Sequence, residues 1–306
     1  VITSIDARSR FADSHARSTD PTVLRWLDEL PTLLRTTLER WSLRPDGPLA
    51  NGMAGLLVPV RRADGRPAAL KLQPVVEDNA GIAPGLRAWD GDGIVRLIDH
   101  HRPTGAYLLE RLHNRTLATV TDDDEATAVL ADLLARLTAH QAPEGMRRLA
   151  DIAAAMLTDL PDALPRLADP AERDLLRACA SAVADLLPDA GDRLLHWDLH
   201  HDNVLAADRE PWLAIDPEPL AGDPGFDLLP TLDNQWDRIA ASGDVPGAVL
   251  RRFDLLTDRM ALDRSRAAGW TLGRVLQNSL WDVEDGKTAL DPVQVAIATT
   301  LIARHA

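Results

Sequence analysis

Eight consecutive residues hold the densest polar chemistry in the chain: His196-Trp197-Asp198-Leu199-His200-His201-Asp202-Asn203. Three histidines and two aspartates in so short a span suit zinc, and His196 and His200 have the spacing that shares one face of a helix. The flanks speak against a helix. Leu194-Leu195 precedes the segment, Val204-Leu205-Ala206 follows it and Trp212-Leu213-Ala214-Ile215 comes next, so a loop between strands is expected. No Cys or HExxH arrangement supplies further ligands. Phosphoryl transfer fits the residues better. It needs a carboxylate beside the acceptor hydroxyl and oxygen ligands for Mg2+ on the nucleotide phosphates. Asp198 suits the first role; Asn203, and Asp216 at the end of the next strand, suit the second. The pattern H-x-D-x-x-x-x-N, then a strand and a second Asp, has the spacing of a kinase catalytic loop. His196 is expected to brace the loop by hydrogen bonding, whereas His200 and His201 either pack within it or face a substrate.

Such a site also needs a cation for the phosphates. The chain has two lysines against 31 arginines, so each lysine stands out. Lys71 lies in the strand-like run Ala68-Ala69-Leu70-Lys71-Leu72, where a compact point charge suits phosphate contact. Upstream, Asn51-Gly52-Met53-Ala54-Gly55 stands where a phosphate-covering turn would be. Lys287, in Gly286-Lys287-Thr288, lacks the rest of a P-loop: Trp281 occupies the place of the first glycine, and Asp282, Glu284 and Asp285 would repel phosphate. It is read as a surface residue. No G-x-S-x-G elbow is present.

The elements that position these residues fall into two unequal halves. Ser18-Thr19-Asp20-Pro21 reads as a helix start, and Val23, Leu24, Leu27, Leu30, Leu34, Leu38 and Trp41 carry the helical period beyond it, with a kink possible at Pro31. Short apolar runs follow (Leu56–Val60, Ala68–Leu72, Ile94–Ile98, Tyr107–Leu112), parted by Gly- and Pro-containing turns, with a short helix near Ala83–Trp89; this predicts a small antiparallel sheet. Helical periodicity then dominates: Asp122–His140, Gly145–Leu160, Ala171–Leu187, Phe226–Ala241, Val245–Leu256, Arg264–Glu284 and Pro292–His305. The fold class is α+β in two lobes.

Composition bounds the rest. A net charge of −14 without a basic stretch disfavours nucleic acid and anionic membranes and suits a cationic partner. The single cysteine, Cys179, forms no internal disulfide and reads as a small core residue. No apolar run reaches transmembrane length and the N-terminus lacks a signal-type block, so a cytoplasmic protein is expected, monomeric by default.

From about Gly47 to Ala303 the chain resembles the aminoglycoside phosphotransferases, relatives in fold of the protein kinases, and within them the streptomycin 6-phosphotransferase and hydroxyurea phosphotransferase branch. The segments that carry this are His196–Asn203, Ile215-Asp216-Pro217 with Gly222-Asp223-Pro224-Gly225-Phe226-Asp227, and Gly269-Trp270 through Trp281 to Gly286. The resemblance implies a bilobal kinase-like fold, a nucleotide-binding lobe over 1–112 and a helical lobe over 113–306, with a hinge near 109–113. It implies ATP and Mg2+ as cofactors and transfer of the γ-phosphoryl group to a hydroxyl of a streptomycin-type aminoglycoside, giving antibiotic resistance. Asp198 would be the catalytic carboxylate, and Asn203 and Asp216 the metal ligands. Lys71, Gly52 and Gly55 would serve the phosphates, Glu110 and Leu112 the adenine through their backbone, and Asp223 and Asp227 would brace the loop. His201, Asp233, Trp236, Trp281, Asp282 and Glu284 are the candidate substrate contacts, alongside Asp285. One departure stands out: the glutamate that pairs with the lysine is missing before Leu86-Arg87-Ala88-Trp89, and Glu77 and Asp78 are the nearest acids. Alternatives are a kinase for hydroxyurea, an amino sugar or a peptide antibiotic, a catalytically weak nucleotide binder, or a zinc protein.

Overall fold

A computed structural model of the chain describes residues 21–51 and 55–305. The capping residues Ser18–Asp20, and Gly52, lie outside them. Helix α1 (Pro21–Arg40) runs through Pro31 and lays Trp26, Leu27, Leu30 and Leu34 on one face. That stripe covers an antiparallel sheet of β1 (Arg44–Pro45), β2 (Ala50–Asn51), β3 (Leu56–Arg61), β4 (Pro67–Leu72), β5 (Leu97–His101) and β6 (Ala106–Glu110), ordered β1-β3-β4-β6-β5 with β2 also on β3. Leu56, Val58, Val60, Leu70, Leu72 and Leu108 face α1, each contributing about 1.5–3 kcal/mol by burial. Strand alternation therefore sends Lys71 to the opposite face, where its register partners are Leu57 and Tyr107. Helix α2 (Ile82–Trp89) lies between β4 and β5 in the chain.

The chain divides into two compact units, one of residues up to Gly91 with Val95–His113, the other of Asp92–Ile94 and Asn114 onward. Asp92–Ile94 join the second unit for definite reasons. The Arg136 side chain donates to Asp92 at 2.6 Å, the Gly93 carbonyl accepts from Ala214 N–H at 2.9 Å, and buried Ile94 bridges to Ala214. The strand read at Ile94–Ile98 accordingly begins later, at Leu97.

The second unit contains α3 (Asp123–Leu137), α4 (Leu149–Ala163), α5 (Pro170–Leu186), the short strands β7 (Arg193–Leu195), β8 (Val204–Ala206), β9 (Trp212–Ala214) and β10 (Leu220–Gly222), then α6 (Leu229–Asp233), α7 (Trp236–Ala241), α8 (Val245–Arg259), α9 (Arg264–Glu284) and α10 (Pro292–His305). β7 pairs with β10 and β8 with β9, both antiparallel. Helix α9 opens on Asp263, whose carboxylate accepts from Arg266 N–H at 2.8 Å, and it packs on α4, α5 and α10. Gly269 lets α5 approach, since a Cβ there would meet Leu186 Cδ1 at 2.6 Å. The helix expected over Phe226–Ala241 is broken in two. Gln235 adopts φ +54°, and the carbonyls that end α6 turn to the buried Arg252 side chain instead of continuing a helix. No helix among the described residues is long and apolar enough to cross a membrane.

Candidate active site

The polar island is a loop from β7 to β8, as its flanks predict, with one 3-10 turn at His201–Asn203. Its ends are tied by Asn203, whose Nδ2 donates to the Asp198 carbonyl at 2.8 Å and to Asp198 Oδ2 at 3.1 Å. Those bonds use the amide nitrogen and leave Asn203 Oδ1 without a partner among the described residues. Ile215 N–H donates to the Asn203 carbonyl at 2.8 Å, which sets Asp216 next to this corner. Asp216 has φ +54°, a left-handed conformation that Asp tolerates better than most residues.

The three histidines have three uses. His196 is fully buried; its Nε2–H donates to the Ile215 carbonyl at 3.0 Å while Nδ1 accepts from Asp198 N–H at 3.3 Å. Burial holds that ring down to about 4, so it is a neutral brace. His200 Nδ1 accepts from Asp202 N–H at 3.2 Å, and Nε2 lies 3.7 Å from Asp198 Oδ2. Burial works to lower His200, but the Asp198 and Asp202 carboxylates outweigh it and raise the ring above its ordinary value. Reciprocally, burial works to raise Asp198, and the His200 contact wins, leaving its carboxyl below the ordinary range. His201 is fully buried, and burial beside Arg252 pushes it to about 4. It has no surface for a ligand, which corrects its reading as a substrate contact.

Asp227 anchors the start of the loop from beneath. Its Oδ2 accepts from His196 N–H at 2.8 Å and its Oδ1 from Trp197 N–H at 2.7 Å, and burial pushes it up to about 6. Asp223 caps Gly225 N–H at 2.8 Å and pairs with Arg266 Nε at 2.6 Å. Trp197, bonded to Asp227, has φ +71°, a left-handed conformation that costs a residue with a Cβ about 1–2 kcal/mol.

The other expected residues divide. Asp233, at the end of α6, is half-buried and is raised to about 6 by burial; it lies in the fields of Arg274, His200 and Asp198, so it belongs to this corner. Trp281 is 47% exposed and stacks on Trp197, ring centroids 6.4 Å apart and planes 6° apart. With Glu284, Asp159, Asp162 and Gln277 it lines a cavity of about 440 Å3 between α4 and α9. Asp282 is engaged otherwise: Lys287 Nζ donates to it at 2.7 Å, which takes it out of the free acidic set and gives Lys287 its surface role. Asp285 is exposed at the C-cap of α9, and Trp236 opens α7, half-buried.

In the first unit, Lys71 is half-buried on the sheet face away from α1. Helix α2 carries no acid to pair with it, and the side chains of Glu77 and Asp78 lie outside the described residues. Gly55 is required by close approach: a Cβ there would sit 2.5 Å from the Leu72 carbonyl oxygen. Glu110 N–H already donates to the Arg96 carbonyl at 2.9 Å, so that donor is not open to an adenine; Leu112 N–H has no hydrogen-bond partner among the described residues. Arg111 steadies the segment by donating to the Ala68 carbonyl at 3.1 Å and to Asp46 at 3.2 Å.

Residues 40–286 match the family described as aminoglycoside/hydroxyurea antibiotic resistance kinase. The chain belongs to that family. It is 57% identical to streptomycin 6-kinase of Streptomyces griseus over 292 residues, covering 95% of each chain. It is 54% identical to hydroxyurea phosphotransferase of Kitasatospora aureofaciens over 282 residues, 91% of this chain and 81% of that one. The fold is shared with solved structures at much lower identity. One is a thermostable mutant of aminoglycoside phosphotransferase APH(4)-Ia with ADP and hygromycin B, at TM-score 0.56 and 14% identity over 88% of this chain and 97% of that one. Another is a choline/ethanolamine kinase family protein from Mesorhizobium loti, at TM-score 0.56 and 14% identity over 89% and 93%. This resistance-kinase family member is therefore a phosphotransferase of protein-kinase-like fold.

Sequence reasoning missed Arg147 and Arg274, whose guanidinium groups lie 4.7 and 4.8 Å from the Trp197 ring centroid. Arg274 had a signal: it shares a helical stripe with Trp270, Gln277 and Trp281, and a charged residue on a stripe with two tryptophans needs a reason.

Proposed function

We propose that this kinase transfers the γ-phosphoryl group of ATP to a hydroxyl of a streptomycin-type aminoglycoside, with Asp198 as the carboxylate that orients the hydroxyl and accepts its proton. The observation that carries the substrate is the 57% identity to streptomycin 6-kinase over 95% of both chains. The tie between Asp198 and Asn203 supports the chemistry, because a carboxylate held by an amide keeps one direction toward the acceptor. Asn203 Oδ1 and Asp216 are hard oxygen donors at one corner, which suits Mg2+, an ion that takes one or two protein ligands and fills its shell with phosphates and water. When bound there, it would offset the negative charge on the nucleotide phosphates. With ATP bound, Lys71 would serve the α- and β-phosphates, and the segment 109–113, which ends the first unit, would receive the adenine with Leu112 N–H as its donor.

Asp233, Glu284, Trp236 and the exposed face of Trp281 form the substrate side, an acidic and aromatic set suited to a polycation. The protein acts as a monomer in the cytoplasm. Hydroxyurea is the second reading, favoured by the 54% identity to hydroxyurea phosphotransferase. The acidic set argues for the aminoglycoside, since a small neutral acceptor gains little from it.

The test is ADP release with streptomycin, other aminoglycosides and hydroxyurea offered in turn, followed by NMR assignment of the phosphorylated position. Streptomycin consumed with phosphate on its 6-hydroxyl is the expected result. Turnover of hydroxyurea alone would transfer the assignment to the second reading, and ATP binding without any product would defeat both.

A further inference from the structure

Position 197 makes a demand that tryptophan meets poorly. At φ +71° a Cβ crowds the neighbouring carbonyl, and glycine is the residue that goes there readily. This chain instead places its bulkiest side chain there, directly before Asp198, and buries it. The dihedrals at 197 decide where the next Cα–Cβ bond points, so whatever fixes Trp197 also aims the Asp198 carboxylate. The Trp197 N–H bond to Asp227 holds the residue on one side only.

The ring supplies the other hold. Arg147 and Arg274 lie over it at 4.7 and 4.8 Å, Phe226 meets it edge-on with centroids 6.1 Å apart, and Trp281 stacks parallel to it. Arg274 is the unusual member. It is 7% exposed, and among the described residues it donates once, to the neutral Gln277 Oε1 at 3.3 Å, with its Nε unpartnered. Among the described residues it has no ion pair. The Asp227, Asp198, Glu218 and Asp233 carboxylates favour the cation through their fields, but a buried guanidinium with no carboxylate in contact is still costly, and a leucine or methionine would fill the same space without that cost. In direct contact Arg274 has aromatic faces, those of Trp197, Phe226 at 5.6 Å and Trp281 at 5.8 Å, which attract a desolvated guanidinium. Burial lowers it, the nearby Asp227, Asp198, Glu218 and Asp233 carboxylates limit the fall to about 10, and the cation persists at neutral pH.

We propose that Arg274, by gripping the Trp197 indole, holds residue 197 in its left-handed conformation and thereby aims the Asp198 carboxylate; Trp197 and Arg274 are positioning residues for phosphoryl transfer. The proposal rests on Asp198 being the acceptor-side carboxylate. It adds a structural link: α9 carries both Arg274 and Trp281, so the wall of the α4–α9 cavity and the catalytic loop share one stack.

The test compares wild type with Arg274→Met, Arg274→Lys and, as a control, Leu276→Ala, which opens a hole in the buried core of the same helix away from the ring. Two readouts are taken: amide hydrogen exchange of residues 196–203, and steady-state kinetics with melting midpoints. Arg274→Met is expected to speed exchange in 196–203 at least about tenfold above the rest of the chain, and to lower kcat about tenfold or more with the ATP KM within about threefold. Arg274→Lys, which keeps a cation on the ring, recovers most of both. Leu276→Ala lowers the melting midpoint yet leaves kcat within about twofold. Exchange that rises evenly across the chain, or an Arg274→Met enzyme with wild-type kcat, would reduce the stack to core packing and overturn the proposal. If Arg274→Met does not fold, Trp197→Phe against Trp197→Leu decides: the ring-retaining variant keeps the loop protected, and equal exchange in the two refutes the grip. Exchange needs no substrate, so a wrong acceptor assignment and a wrong positioning assignment fail separately.

Discussion

Asp198 is ionised at neutral pH because His200 and the other charges of its corner outweigh its partial burial. Asp198→Asn keeps the shape and removes the proton acceptor, so kcat should fall by about 10²- to 10⁴-fold while ATP affinity stays within about threefold. ADP-release kinetics with a nucleotide titration read both numbers, and comparable turnover would remove Asp198 from the mechanism. Asp227 allows a pH test. Its folded value of about 6 exceeds the ordinary 3.8, so between those values the folded chain holds a proton that the unfolded chain has released. Its contribution to stability is therefore present below the ordinary carboxylate range and is lost as the pH rises through about 6. Urea unfolding of wild type and Asp227→Asn should show the wild type losing ground to the variant between pH 4 and 6, with a constant difference above. Asp233 titrates in the same window but is common to both proteins. A flat difference would mean that the two N–H bonds dominate and the carboxyl titrates normally.

At the scale of elements, α3, α6 and α8 meet at one side chain. Arg252, 2% exposed, forks onto Asp123 at 2.5 and 2.8 Å and donates to the carbonyls of Thr231, Leu232 and Asn234. It satisfies the end of α6 that a continuous helix would have satisfied, which is why the break before α7 is stable. Arg252→Met should cost about 3–5 kcal/mol, because Asp123 and the carbonyls lose their donor together. Arg252→Lys recovers little, since an ammonium cannot fork onto the carboxylate. Thermal unfolding of the three proteins gives the answer, and a change under about 1 kcal/mol would make the junction a packing contact alone. The break itself was not legible in the sequence. Phe226–Ala241 has helical apolar spacing, and only the contact with a residue on α8 ends the first piece. Helices α9 and α10 were legible to the residue, because caps and periodicity that decide them are local.

For the whole molecule, the −14 net charge bears on association with a cationic acceptor. Raising ionic strength from about 0.05 to 0.5 M should lower kcat/KM for streptomycin several-fold and leave a neutral acceptor unaffected, as screening shortens the range of the field. Equal salt responses for streptomycin and hydroxyurea would confine the acidity to solubility.

The sequence by itself determined the spacing of Asp198, Asn203 and Asp216, the strand that carries Lys71 and the sheet-then-helix order of the two lobes. Each of these is written in neighbours a few residues apart, through turn chemistry, strand alternation and helical period. Only the tertiary structure decided which polar groups are free. It buried His201, gave Asp282 to Lys287, gave Glu110 N–H to Arg96, drew Asp92–Ile94 into the second unit and brought Arg274 over Trp197. Most of these outcomes pair groups that stand far apart in the chain, and all of them depend on which group fills a given space or meets a given donor. Local spacing records the chemistry a residue offers, whereas burial and partnership arise only once the chain has closed on itself.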